Sequence, residues 1–74
     1  MIKAVIIDDS SQAREALKAD IQHNASDIKI VGEADGVISG GKLIRKLQPT
    51  LIFLDIEMGD GTGFDLLELL GETP

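Results

Sequence analysis

Leu51-Ile52-Phe53-Leu54-Asp55 decides the fold. Four apolar residues lead into one carboxylate, with Pro49 before the run and Gly59 after it. A short, unbroken apolar run between such breakers reads as a buried strand of a parallel sheet. In open α/β folds the last residue of such a strand reaches the C-terminal edge of the sheet, where ligands bind and chemistry is done. An acid at that place is either a turn or helix-capping residue or a functional carboxylate.

Toward the N-terminus the same pattern recurs. Ala4-Val5-Ile6-Ile7 is a second apolar run, and it also ends in acid, Asp8-Asp9. Ser10 or Ser11 can then cap a helix, because a hydroxyl accepts from the open N–H groups of the first turn. Ala13, Ala16, Leu17 and Ile21 follow at helical spacing, with Arg14, Glu15, Lys18 and Asp20 on other faces. Asn24 ends this helix, and His23 in its last turn reads as a surface residue suited to the helix dipole. Residues 27–34 form a second strand in which alternation breaks at Val31 and Lys29 marks an edge position.

Between that strand and Pro49 runs a helix carrying Val37, Ile38, Leu43, Ile44 and Leu47. Gly40 and Gly41 lie inside it, each costing about 1 kcal/mol relative to alanine. Close approach to the sheet or a frayed first turn would each account for them. Beyond Asp55, residues 56–61 read as a loop. Thr62 and Asp65 match a capping box ahead of a helix over 64–70 closed by Gly71. The order is βαβαβα, which implies a parallel sheet with right-handed crossovers.

Composition bounds the rest. Seventy-four residues make one small domain, and with 43% hydrophobic residues but no Trp or Tyr the core is aliphatic. No cysteine is present, which excludes disulfides and thiolate metal sites. Thirteen acids against seven bases give a net charge of −6, a surface that repels phosphate backbones, so direct nucleic-acid contact is not expected. The N-terminal apolar run is too short for a signal-peptide core, and no run approaches a membrane span. The expectation is a soluble cytoplasmic protein.

If the first and third strands are neighbours, Asp8, Asp9 and Asp55 converge. Three carboxylates in one patch repel unless a cation sits between them. Mg²⁺ prefers hard oxygen ligands and keeps several waters. Beside a carboxylate it is the ion that phosphoryl chemistry uses to offset developing charge.

On Ile6-Ile7-Asp8-Asp9, Phe53-Leu54-Asp55-Ile56-Glu57-Met58 and Gly61-Thr62-Gly63-Phe64-Asp65-Leu66-Leu67, the chain resembles the first three βα units of a bacterial response-regulator receiver domain. The Leu-Asp-Ile-Glu-Met wording is most similar to regulators with a LytTR-type DNA-binding output. The resemblance implies an α/β fold, an incomplete flavodoxin-like (CheY-like) arrangement with sheet order 2-1-3. It implies Asp55 as phosphoacceptor, Asp9 as a direct Mg²⁺ ligand, Asp8 as one acting through water, and the backbone carbonyl of Glu57 as the remaining protein ligand. A sensor histidine kinase is the implied phosphoryl donor, and self-modification of Asp55 would not make the chain an enzyme. Gly59 departs from the family, which commonly has Pro there. The expected fourth strand would begin at Glu72-Thr73-Pro74, so residues 1–74 read as a truncated receiver. The switch Ser/Thr of strand four and the Lys of strand five are then missing, and no lysine of this chain follows an apolar strand to replace the latter.

Two rival readings fit poorly. Asp60-Gly61-Thr62 echoes the D-G-T of haloacid-dehalogenase-type phosphatases, which needs another Asp where Met58 stands. Gly59, Gly61 and Gly63 faintly suggest dinucleotide binding, but the third glycine belongs where Phe64 is, and the motif belongs after the first strand. A signalling-incompetent fragment kept folded by self-association is the alternative reading. In the order 2-1-3 the apolar Leu51–Asp55 strand lies at an edge, so a homodimer through it is expected.

Overall fold

The computed structural model describes residues 1–71. The three residues at which a fourth strand is expected to begin, 72–74, lie outside the described residues. Strands β1 (Ile2–Ile7), β2 (Ile28–Ala34) and β3 (Leu51–Leu54) alternate with helices α1 (Ser11–Asn24) and α2 (Val37–Leu47). A short hairpin, β4 (Glu57–Met58) and β5 (Gly61–Thr62), then leads into α3 (Gly63–Leu70). The main sheet is parallel, as the βαβαβα order implies, and its strand order is β2-β1-β3, as the family resemblance implies.

β1 is the central strand, and its residues Ala4 to Ile7 are buried. Side chains alternate across a strand, so Val5 and Ile7 share one face. There they form the core with Val37, Met58 and Leu66. The register sets Ile6 beside Phe53 and Ile7 beside Leu54, which aligns the C-terminal ends of β1 and β3. On the other side, Ala4 pairs with Ile30 and Val5 with Gly32, so Val31 is an extra residue in β2. The broken alternation at Val31 is therefore a bulge.

Gly40 is explained by contact rather than fraying. A Cβ there would stand 3.0 Å from both Ile7 Cδ1 and Cγ2, so glycine lets α2 lie close on β1. The helix boundaries follow local chemistry. Ser10, not Ser11, caps α1, its Oγ accepting from Ala13 N at 3.2 Å. Thr62 and Asp65 form the expected reciprocal capping box at 3.1 and 2.8 Å. His23 is exposed, as read.

Three sequence expectations need correction. Residues 56–61 are not all loop, because Glu57 pairs with Thr62 and Met58 with Gly61 in an antiparallel ladder. Gly61 makes the tight return possible with φ at 149°, a conformation side chains rarely adopt. The apolar stripe of α1 is only partly covered: Ile21 is buried and Leu17 half-buried, while Ala13 and Ala16 are exposed. Beneath Leu17 an open cleft lies over the paired β1 and β3, lined by Ile6 and Phe53. The β3 strand, read as buried, is half-buried along its whole length, because among the described residues it pairs on one side only. No helix among the described residues is long and apolar enough to cross a membrane.

Candidate metal centre

The backbone of the site is an extension of the sheet. Asp55 N donates to the Ile7 carbonyl at 2.9 Å, and Asp8 N donates to the Ala34 carbonyl at 3.0 Å. Both acids are thus held in ladder geometry one residue past their strands. Asp8, Asp9 and Asp55 each bring a carboxylate oxygen to within 4.8 Å of the other two. Asp8 and Asp55 are half-buried and Asp9 is exposed. The sequence expectation that these three converge therefore matches the geometry.

An all-oxygen set open on one side suits a hard divalent cation, which takes carboxylates and keeps waters. Glu57 begins β4, two residues beyond Asp55, and is exposed; its side chain is not one of the three converging carboxylates.

Several contacts that fix the site were not read from the sequence. Ser10 N donates to Asp8 Oδ1 at 2.9 Å, and Arg14 Nη1 donates to the Asp8 carbonyl. Gly63 sits against Asp55: a Cβ there would be 2.7 Å from the Asp55 carbonyl oxygen and 3.1 Å from Leu54 Cγ. Its N–H donates to the Ile56 carbonyl at 2.8 Å, which folds the segment after Asp55 back under α3.

Asp60 fills a different gap. The N-cap of α2 is Gly36, which has no side chain to cap with. Asp60 supplies one from across the fold, Oδ1 accepting from Val37 N at 2.8 Å and Oδ2 from Ile38 N at 3.2 Å. The uncapped glycine was the available sequence signal for a non-local cap. These bonds, Val37 first and Ile38 second, hold the Asp60 carboxyl below its ordinary value. A depressed carboxyl contributes stability that is fully present above its unfolded value, ~4, and lost as pH falls through the folded value. Asp60→Ala is therefore expected to lower Tm at pH 7 by roughly 3–8 °C, the scale of a lost cap in a small domain. The gap from wild type should close below pH ~4. Far-UV circular dichroism melts across pH check this, and a gap that persists unchanged into acid would count against the cap.

Comparison with known proteins agrees with the fold. Residues 4–74 match the family model described as the response regulator receiver domain. The chain is 41% identical over 70 residues to the transcriptional regulatory protein BtsR of Escherichia coli K12, covering 95% of this chain and 29% of that protein. It is 34% identical to the sensory transduction protein LytT of Bacillus anthracis, covering 95% and 28%. Among solved structures, the response regulator domain of Thermotoga maritima CheB superposes with a TM-score of 0.85 at 34% identity, over 95% of this chain and 52% of that one. The chain thus spans less than a third of the length of these curated relatives. With a parallel β2-β1-β3 sheet, acids at the ends of β1 and β3, and a family match over nearly every residue, the chain belongs to the response regulator receiver domain family.

Proposed function

We propose that Asp55 accepts a phosphoryl group from a sensor histidine kinase, and that Asp8, Asp9 and Asp55 hold Mg²⁺ together with the backbone carbonyl of Glu57. The observation that carries this reading is the convergence of the three carboxylates within 4.8 Å at the ends of β1 and β3. Bound Mg²⁺ supplies positive charge to the oxygens of the transferring group.

The chain's own part is to position the nucleophile. A carboxylate oxygen of Asp55 forms the new P–O bond while the P–N bond to the donor imidazole breaks, its electron pair leaving with that nitrogen. Because the Asp55 amide is tied to the Ile7 carbonyl, its half-buried carboxylate is carried on a fixed backbone. The chain is then the acceptor of one phosphoryl group rather than a catalyst with turnover. A kinase donor of this kind places the reaction in the cytoplasm. On this reading residues 1–74 hold the acidic half of a receiver, and the family's Ser/Thr and Lys of strands four and five lie outside them.

The free edge of β3 is compatible with the homodimer expected through Leu51–Asp55, and equally with a further strand of the same sheet. Nothing among the described residues favours a signalling-incompetent fragment.

Incubation with a small acyl phosphate and Mg²⁺, followed by intact-mass and peptide mapping, tests the proposal. One phosphoryl group on Asp55 is expected, abolished by a chelator. Modification at other residues only, or modification indifferent to Mg²⁺, would overturn it.

A further inference from the structure

Of the three acids, Asp9 is the exposed one, and no hydrogen bond to its side chain is present among the described residues. Its position therefore depends on the peptide unit that precedes it. That unit is planar, so fixing the Asp8 carbonyl oxygen fixes the direction in which the chain enters Asp9. The group that holds this oxygen is Arg14 Nη1, reaching back from the first turns of α1.

Arg14 is itself clamped. Its Nε donates to Glu33 Oε1 at 3.0 Å, and the other oxygen of Glu33 accepts from Lys18 Nζ at 2.7 Å. Lys18 also meets Glu15 at 2.7 Å. The Arg14 side chain is only 18% exposed, low for an arginine on a surface helix. Hydrogen bonds from Lys18, and secondly from Arg14, hold the Glu33 carboxyl below its usual range, so the clamp stays charged at neutral pH. The planar guanidinium presents Nε to Glu33 and Nη1 to the Asp8 carbonyl in one rigid fork, a geometry that a lysine's compact ammonium does not reproduce.

We propose that Arg14 is a positioning residue for the metal centre, tying the Asp8 carbonyl to Glu33 of β2 so that Asp9 is presented beside Asp8 and Asp55. The inference rests on the Mg²⁺ reading above. It has a consequence of opposite sign from simple electrostatics. A positive charge beside three carboxylates repels a cation, so removing it should tighten metal binding if charge were its only role. A positioning role requires the reverse. Loss of an outer partner of this kind typically costs about 10–100-fold in metal affinity.

The experiment is an Mg²⁺ titration at constant ionic strength, followed by amide shifts of residues 8, 9 and 55–58, on wild type, Arg14→Met and Arg14→Lys. Arg14→Met is expected to bind Mg²⁺ about tenfold more weakly. Arg14→Lys, with the charge kept and the fork lost, should also bind more weakly. Equal or tighter binding by either folded variant would overturn the proposal. If Arg14→Met does not fold, Arg14→Lys alone decides it. Should wild type itself show no Mg²⁺ response, the metal reading fails separately. The Asp8 carbonyl-carbon and Asp9 amide shifts in metal-free Arg14 variants then judge the positioning role: displacement supports it and unchanged shifts overturn it.

Discussion

Gly63→Ala is expected to lower Tm by roughly 5–20 °C and to weaken Mg²⁺ binding together with it. The added Cβ would stand 2.7 Å from the Asp55 carbonyl oxygen, a backbone atom that cannot rotate away, and 3.1 and 3.2 Å from Leu54 Cγ and Cδ2. Relief requires either that α3 lift from the sheet or that the backbone at Asp55 move. Lifting α3 loosens Leu66, which is fully buried in the core. Moving Asp55 strains its bond to the Ile7 carbonyl and shifts a carboxylate of the cluster. Overpacking of this kind costs about 1–3 kcal/mol, and in a domain this small each kcal/mol moves Tm by roughly 4–8 °C. Gly59 is the internal control. A Cβ there meets nothing within 4 Å, so Gly59→Ala should leave Tm unchanged or raise it slightly by restricting the unfolded chain. Circular dichroism melts of both variants decide the matter. Equal behaviour at the two glycines would show that the contact of Gly63 with Asp55 has no energetic weight.

The contrast between those glycines also shows which features were legible in the sequence. Periodic and terminal signals read well. Apolar runs ending in Asp9 and Asp55 indicated strands of a parallel sheet, since a strand's length and ends follow from its own residues, whereas the order 2-1-3, which brings the acids together, came from the family resemblance. Thr62 with Asp65 gave a cap because both partners lie within one turn. What escaped were contacts made across the chain. Arg14 looked like an ordinary polar position on α1, and its bond to Glu33 exists only once β2 lies beside β1. Asp60 belonged to a loop, yet it caps a helix that starts 23 residues earlier. Gly40 left two explanations open until Ile7 was seen against it. The covering of α1 was misjudged for a related reason. Helical spacing identifies a stripe, but how much of that stripe is buried depends on what lies opposite it, and beneath Leu17 lies an open cleft.

Asp9→Ala is expected to lower Mg²⁺ affinity by at least about tenfold while leaving the metal-free protein no less stable. On the proposed reading Asp9 would supply a ligand oxygen, and it is one of three carboxylates that lie within 4.8 Å of one another. With metal, losing it subtracts a ligand and much of the attraction for a dication. Without metal the same carboxylate repels its two neighbours, an effect on the order of 1 kcal/mol at most per pair in water at such separations. Asp9 is exposed and outside the core, so its truncation removes little packing that would offset this relief. Mg²⁺ titration and thermal melts with and without metal measure both halves. In wild type, Tm should rise with Mg²⁺ concentration, because a ligand that binds only the folded state stabilises it by mass action. In Asp9→Ala the metal-free Tm should match or exceed that of wild type, and added Mg²⁺ should move it much less. A variant that melts lower without metal yet keeps the full Mg²⁺-dependent rise would mean that Asp9 supports the fold and takes no part in holding the ion.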